Sequence, residues 1–133
     1  MAFLAGLLGT GLVKAEDKLD SGAFQQIIKN QMSAFAAGNA EKAFSFATKT
    51  LQQRFQNPDF FMQMVRQGYQ PVYRPRTVTF GTAKLTSYGP TQEVFVTGPK
   101  GKNWLALYSF EQQADGSWRI SGCYLKEFDG ISA

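Results

Sequence analysis

Apolar residues recur at intervals of three and four over the first half of the chain, which places them on one face of an α-helix. Three stretches follow this pattern, over residues 21–38, 39–51 and 57–68. We therefore predict three helices, each with one apolar face. These faces consist of Phe24, Ile27, Ile28, Met32 and Phe35, then Ala40, Ala43, Phe44, Ala47 and Leu51, and finally Phe60, Phe61, Met64 and Val65.

The ends of these stretches carry residues that favour helix termini. Gly38 and Gly68 stand at the ends of the first and third stretches, where a glycine commonly stops a helix. Asn39 and Asn57 begin the second and third, where an asparagine side chain accepts a hydrogen bond from a free backbone N–H group. Pro58 suits the first helical position, because an N–H group would have no partner there. The boundaries therefore agree with the periodicity.

In the second half of the chain the period changes to two, which is typical of β-strands. Four segments show it, over residues 76–88, 93–97, 103–111 and 118–126. The alternation in the first segment changes phase at Gly81, which predicts a β-bulge. Helices followed by strands with short turns between them predict an α+β domain, in which three N-terminal helices pack on a four-stranded antiparallel sheet.

The third strand is apolar on both faces. Trp104 and Tyr108 share one face, while Leu105 and Leu107 point to the other. A strand of this kind is covered on both sides, and the helices cover only one of them. We predict that the outer face forms a homodimer. The competing explanation is that residues 1–15 fold back over it.

The composition excludes several classes of site. The 133 residues contain no histidine and a single cysteine, Cys123. This removes serine–histidine and cysteine–histidine catalysis, an internal disulfide and cysteine-rich metal clusters, so we predict neither a metal site nor a cofactor. The length and the hydrophobic content of 44% are sufficient for one packed domain.

The net charge of +4 is concentrated in the middle of the chain. Residues 49–102 carry eight basic and two acidic side chains. Such an excess favours a small anionic ligand. The basic residues form no dense run and no nucleic-acid-binding motif is present, so we predict no nucleic-acid partner.

The opening sequence "MAFLAGLLGTGLVKA" resembles the apolar region of a secretory signal, with the small residues Val13 and Ala15 where cleavage requires them. It is too short to span a bilayer, which takes about 20 apolar residues, so we predict no stable membrane span. We predict a signal-like segment over residues 1–15, a domain over residues 16–133, and a periplasmic or secreted protein. The alternative is a frayed N-terminal helix of a cytoplasmic protein.

Three segments carry a likeness to a known family: "IIKNQMSAFAAGNAEKAFSFAT", "FMQMVRQGYQPVYRP" and "GSWRISGCYL". Over about residues 24–126 the chain resembles the bacterial family called domain of unknown function 4864, within the nuclear-transport-factor-2-like (cystatin-like) superfamily. Asn39 departs from the aspartate expected there, but both residues cap helices. The resemblance implies a cone of three helices wrapped by a curved sheet, often around a pocket and often dimeric. It implies no chemistry, because this superfold hosts isomerases, dehydratases, binding modules and accessory domains.

We therefore predict a small exported binding or accessory module with an apolar cone and no catalytic residues. The alternative is a lyase or isomerase that uses a tyrosine or Glu93 as acid or base in the pocket of the cone. The two differ in what the pocket contains, since an enzyme needs a polar group of perturbed pKa inside it.

Three candidate ligand-binding residues are expected inside the cone: Gln31, Trp104 and Tyr108. Gln31 lies near the centre of the first helix's apolar face, where an amide must be hydrogen-bonded. It either orients a ligand or, as an ordinary core glutamine, bonds to backbone, for instance that of residues 69–76. Cys123 is expected to be buried and inert, since a nucleophile would need a neighbouring lysine or arginine.

The remaining candidates surround the segment between the third helix and the sheet. Each of its two prolines pushes the preceding residue toward extended backbone, which predicts a stiff extended connector. Tyr69 and Tyr73 are expected to bury their rings at the mouth of the cone. Arg66, Arg74 and Arg76 either bind a carboxylate or phosphate together or remain solvated.

Overall fold

The structure is a computed structural model that describes residues 19–129, so the predictions for residues 1–15 lie outside it. The α+β class is confirmed, with helices followed by an antiparallel sheet. None of the helices described is long and apolar enough to cross a membrane. The elements are α1 (Ser21–Ala36), α2 (Ala40–Ser45), α3 (Lys49–Phe55), α4 (Pro58–Gly68), α5 (Gln70–Tyr73), β1 (Thr77–Thr86), β2 (Gly89–Thr97), β3 (Asn103–Gln112) and β4 (Trp118–Glu127).

The helix termini predicted from asparagine and glycine are confirmed. Asn39 Oδ1 accepts a hydrogen bond from the Lys42 N–H group at 3.0 Å, and Asn57 Oδ1 accepts one from the Phe60 N–H group at 2.9 Å. Gly38 has a φ of 69°, a left-handed conformation that glycine adopts without steric cost. The chain therefore turns from α1 into α2 where the sequence indicated.

The second predicted helix is divided into α2 and α3. Thr48 begins α3, because its Oγ1 accepts a hydrogen bond from the Leu51 N–H group at 3.2 Å. The same residue donates its N–H to the Ile120 carbonyl at 2.9 Å, and the Ile120 N–H donates to the Phe46 carbonyl at 2.8 Å. The apolar spacing continues through both helices, so it could not show this break, which comes from docking on β4.

The connector between α4 and β1 contains a helical turn, so the prediction of an extended connector is wrong over Gln70–Tyr73. Pro71 lies in the first turn of α5, where its missing N–H group costs no hydrogen bond. Arg74 has a φ of −141° and lies outside the helix, as expected for a residue before a proline. The connector is therefore helical first and extended only at its end.

The four strands are hydrogen-bonded in chain order, and each pair is antiparallel. The register between β1 and β2 shifts at Gly81, which confirms the predicted bulge. A Cβ atom at Gly81 would lie only 2.8 Å from the Phe95 ring, so the close approach requires glycine. Glu93 Oε1 accepts a hydrogen bond from the Thr82 N–H group at 3.1 Å and holds the bulged backbone.

Buried apolar residues form two clusters. The sheet core lies between α1 and the inner face of the sheet and comprises Phe24, Ile28, Met32, Val72, Val94, Val96, Ala106, Tyr108, Phe110 and Ile120. The helical core lies among the helices and comprises Ala34, Phe35, Ala43, Phe61, Met62, Val65 and Tyr73.

Aromatic packing is closer in the sheet core than in the helical core. The Phe24 ring stacks on the Phe110 ring with centroids 4.3 Å apart, and the Trp118 ring meets Phe24 edge-on at 5.1 Å. In the helical core the ring centroids lie between 5.4 Å, for Phe44 and Phe61, and 6.3 Å, for Phe35 and Phe61. The sheet core therefore has the tighter of the two packing arrangements.

The outer face of the sheet is apolar at its centre, as the strand pattern predicted. Phe95, Leu105 and Leu107 are partly buried there, and the Tyr124 side chain on β4 is 64% exposed. The corresponding inner positions of β2 and β3 are buried in the sheet core. Both strands are therefore apolar on both faces.

Candidate functional site

An open cavity of about 430 Å³ lies where the sheet core and the helical core meet. Phe35 and Phe61 line it from the helical core, and Tyr108 and Ile120 line it from the sheet core. We call this space the central cavity. Its volume falls within the range of pockets that hold small molecules, about 300–1,000 Å³.

The free edge of β4 forms one wall of the central cavity. The loop between α2 and α3 covers that edge at Ile120 through backbone hydrogen bonds. Ser121, Gly122 and Cys123 come next along the strand and line the cavity. Ser121 is the extra residue at a register shift between β3 and β4. The cavity therefore begins where the helical segment stops covering the strand.

A row of three polar side chains crosses the inner face of the sheet beside the cavity. Gln92, Tyr108 and Cys123 are register partners on β2, β3 and β4. The Tyr108 hydroxyl is buried and has no hydrogen-bond partner among the described residues. The Cys123 thiol lies close enough to influence the titration of this hydroxyl, but the two groups do not meet the geometry of a hydrogen bond. An unpaired buried hydroxyl of this kind is uncommon and calls for an explanation.

The protic groups of the cavity wall stay protonated at neutral pH. Burial raises the pKa of Tyr108 well above its usual value, and the neighbouring Cys123 raises it further. Burial also raises the pKa of Cys123 to about 12, against a smaller opposite effect of the Tyr108 hydroxyl. The pKa of Tyr69 is raised by burial first and by Cys123 second. On the side of the sheet the wall therefore presents neutral hydrogen-bond donors, and the charge of the wall belongs to Arg54.

Gln31 is buried and lines the central cavity, as its position on α1 predicted. Its Nε2 donates a hydrogen bond to the Ala43 carbonyl at 3.1 Å, which joins α1 to α2. The expected bond to backbone is therefore present, but it reaches α2 and not residues 69–76. One of the two N–H donors of this amide is therefore occupied by the fold.

The structure brings only some of the predicted site residues together. Gln31, Tyr69 and Tyr108 line the central cavity. Tyr69 also lines a second hollow of about 520 Å³, together with Trp104. These candidate residues therefore line two different spaces, and Tyr69 lines both of them.

The three arginines do not converge on one site. The Arg74 Nη1 donates to the Ala36 carbonyl at 2.8 Å, and its guanidinium lies 4.7 Å from the centre of the Tyr73 ring. Arg76 lies near Gly101 instead. A Cβ atom added at Gly101 would be 3.7 Å from the Arg76 Nη1. Tyr73 and Arg74 line a third hollow of about 530 Å³ that includes neither Arg76 nor Arg66. Arg66 is exposed on α4.

Glu93, the carboxylate of the alternative enzyme prediction, does not line the central cavity. Its Oε2 pairs with the Lys84 Nζ at 3.2 Å, and its Oε1 holds the Thr82 backbone. The residue has a structural position at the bulge of β1. The described lining residues contain no carboxylate that could replace it.

Sequence reasoning missed several wall residues. Leu51 and Met64 were placed on apolar helix faces, but periodicity does not distinguish a packed core from a cavity wall. Arg54 lies three residues after Leu51, which puts it on the same side of α3. This spacing could have predicted that both residues line the same cavity. Ser121 and Gly122 line the cavity beside the register shift between β3 and β4. A glycine within a strand can indicate such an irregularity.

The arrangement suits binding of a small molecule. An apolar wall excludes water, and a few protic groups give direction to a ligand's polar atoms. Among the described residues no group of three or more cysteine, aspartate or glutamate side chains is arranged to hold a metal ion.

Comparison with known proteins gives a family and no activity. The family described as "Domain of unknown function (DUF4864)" matches residues 17–133. Neither the search of curated proteins nor the search of solved structures found a significant match. The match spans most of the sequence, including every helix and strand described above. The chain therefore belongs to the DUF4864 family.

Proposed function

We propose that this chain is a non-catalytic binding or accessory module that holds a small, largely apolar ligand in the central cavity. The observation that carries the proposal is the open cavity of about 430 Å³ between the two cores. Close packing is the rule inside small domains, and this space differs from the other hollows because a larger number of buried residues from both cores line it. Its wall offers donors but no carboxylate or histidine as a general base.

The proposal is tested with the fluorescent dye anilinonaphthalene sulfonate, whose apolar rings suit the cavity and whose anionic group suits the exposed Arg54 at its wall. We expect saturable binding and a rise in melting temperature. A Leu51→Trp variant fills the cavity from a partly buried position and should weaken dye binding about tenfold or more.

The matched control is Phe60→Trp. Phe60 lies on α4, is 55% exposed and does not line the central cavity. This variant should bind the dye as the unmodified chain does. Equal dye binding by all three proteins would place the dye outside the cavity and contradict the proposal.

The alternative enzyme, a lyase or isomerase, keeps two candidate acids in the central cavity, Tyr69 and the more deeply buried Tyr108. Tyr108 remains protonated at neutral pH and could donate a proton, but Glu93 is not in the cavity. Acid–base catalysis needs a base within hydrogen-bond reach of the substrate, and the described wall supplies no ordinary one. This is why binding without catalysis is the function we favour.

We further infer the nuclear-transport-factor-2-like cone that the sequence resembles. The support is the order of the elements, the helices on one face of the sheet, and bulges that bend β1 and β4. An experimental structure with the sheet flat, or with the helices on both faces, would contradict it.

We also infer export to the periplasm or the medium. The support is the apolar segment before Lys14, which precedes the region matched by the family. Mass spectrometry of the native protein should find a chain that begins at or near Glu16. An intact N-terminus in the cytosolic fraction would contradict export.

Finally, we propose a homodimer through the outer face of the sheet. The support is the partly buried apolar strip of Phe95, Leu105 and Leu107 beside the exposed Tyr124. Light scattering of the chain that begins at Glu16 should show a dimer, and Leu105→Lys or Leu107→Lys should dissociate it. A monomer at high concentration would mean that the face has no second copy on it.

A further inference from the structure

The most unusual polar group of the described residues is the Tyr108 hydroxyl. The residue is 1% exposed, lines the central cavity, and its hydroxyl has no hydrogen-bond partner among the described residues. Leaving such a group unpaired costs free energy, because water that solvated it in the unfolded chain is lost without replacement. The hydroxyl is shielded from solvent in the free chain, so a ligand reaches it when a covering side chain moves aside, and an acceptor offered there recovers that cost.

We propose that the central cavity selects ligands that are apolar and carry one neutral hydrogen-bond acceptor, such as a ketone or ester carbonyl, which the Tyr108 hydroxyl binds. This inference rests on the proposed binding function and names the chemical class of its ligand.

The neighbouring groups make Tyr108 the donor that a ligand would use. Gln31 already donates one of its two Nε2 hydrogens to the Ala43 carbonyl, so its amide is partly satisfied without a ligand. Cys123 offers a thiol, which is a weak donor. Tyr69 is less deeply buried than Tyr108 and also borders the second hollow, where water can solvate it.

The electrostatics of the wall exclude a charged acceptor near Tyr108. A carboxylate placed beside the row of Gln92, Tyr108 and Cys123 would lose its hydration and meet no cation there. The cation of the wall is Arg54, whose side chain is exposed. An anionic group is therefore tolerated toward solvent, while the atom that reaches Tyr108 must be neutral.

A matched pair of small molecules tests the inference. Benzylacetone and butylbenzene have the same length and the same phenyl ring, and differ in that a carbonyl replaces a methylene. Each is titrated against the bound fluorescent dye. The unmodified chain should bind benzylacetone at least as tightly as butylbenzene, although the carbonyl must leave water to bind.

The decisive variant is Tyr108→Phe, which keeps the ring and removes only the hydroxyl. It should weaken benzylacetone binding about fivefold and leave butylbenzene binding unchanged, since one neutral hydrogen bond is lost. Dye affinity and the melting curve of the variant report whether the cavity and the fold are intact.

The outcomes separate this inference from the proposed function. If butylbenzene binds and the Tyr108→Phe variant binds both compounds as tightly as the unmodified chain does, Tyr108 does not recognise the carbonyl and the inference is overturned. If the variant weakens both compounds equally, the hydroxyl serves the shape of the cavity and the inference is again overturned. If neither compound nor the dye binds, the binding function itself fails, and this inference with it.

Discussion

Two buried polar side chains on neighbouring strands, Gln92 on β2 and Tyr108 on β3, differ in whether the fold pairs them. The Gln92 Nε2 donates to the carbonyls of Gly81 and Glu93, both at 3.0 Å, and its Oε1 accepts from the Ser21 hydroxyl at 2.9 Å. The Tyr108 hydroxyl, next in the same row, has no partner among the described residues. The two side chains are equally buried, so burial alone does not explain the difference.

The difference follows from what each side chain adjoins. Gln92 faces the bulge at Gly81, where the backbone of β1 has carbonyl groups that need donors. Tyr108 lines the central cavity, and none of the described residues pairs with its hydroxyl. A buried group that the fold satisfies stabilises the fold, and one that the fold leaves unpaired indicates an external partner. The comparison therefore separates a structural polar residue from a candidate ligand contact.

The largest expected effect compares the packing of the two cores. Phe110 is fully buried and stacked on Phe24, so Phe110→Ala should lower the free energy of unfolding by about 4 kcal/mol. Phe61 packs against three aromatic rings but also lines the central cavity, so Phe61→Ala should cost less, about 3 kcal/mol. Urea unfolding measures both. Equal losses would mean that the cavity is filled in solution.

A smaller effect is expected for the paired amide. Gln92→Leu removes three hydrogen bonds and leaves the Gly81 carbonyl and the Ser21 hydroxyl without this partner, so the loss should be about 3 kcal/mol. The matched control is Gln31→Leu, at the cavity wall, where one bond to the Ala43 carbonyl is lost and the cost should be about 1 kcal/mol. A larger loss at Gln31 would reverse the comparison.

Local signals explain which parts of the fold could be predicted from the sequence. Asn39 and Asn57 cap helices through bonds that span three residues, so no distant contact is involved. The bulge at Gly81 was visible because it changes strand parity within a single segment. In contrast, the break between α2 and α3 depends on hydrogen bonds to Ile120, far away in the chain. Periodicity carries no information about such docking.

The candidate site was harder to predict for the same reason. Tyr108 was placed on the inner face by parity, but its lack of a partner depends on the register of three strands and on an unfilled space. The arginines at positions 74 and 76 share a short segment, yet they contact different parts of the chain. Residue type and spacing show which groups are available, whereas pairing is decided by tertiary packing.

The third prediction uses the thiol at the cavity end of the row. Burial raises the pKa of Cys123 from 9.0 to about 12, so the folded chain keeps a proton that the unfolded chain releases above pH 9. The contribution of the protonated thiol to the free energy of unfolding should therefore be fully present below about pH 9 and be lost as the pH rises toward 12. The expected loss is about 2 kcal/mol between pH 8 and pH 10.5. Urea unfolding at these two pH values measures the loss.

The matched variant is Cys123→Ala, which removes this thiol together with its contribution to the raised pKa values of Tyr108 and Tyr69. Its stability should fall less over the same pH interval. Cys123 is only partly buried, and parallel curves for the two proteins would show that water reaches the thiol in the folded state, so that burial does not raise its pKa.

The smallest expected effect has the opposite sign and tests the comparison most directly. If the Tyr108 hydroxyl is unpaired, Tyr108→Phe removes a buried polar group that the fold does not satisfy, and the free energy of unfolding should rise by about 1 kcal/mol in the absence of ligand. Tyr124→Phe is the control, because that side chain is 64% exposed and its hydroxyl stays in water, so stability should be unchanged. A loss of 1 kcal/mol or more in Tyr108→Phe would show that the hydroxyl has a partner in the free protein, such as a bound water molecule. Tyr108 would then resemble Gln92, and the hydroxyl would no longer indicate a ligand.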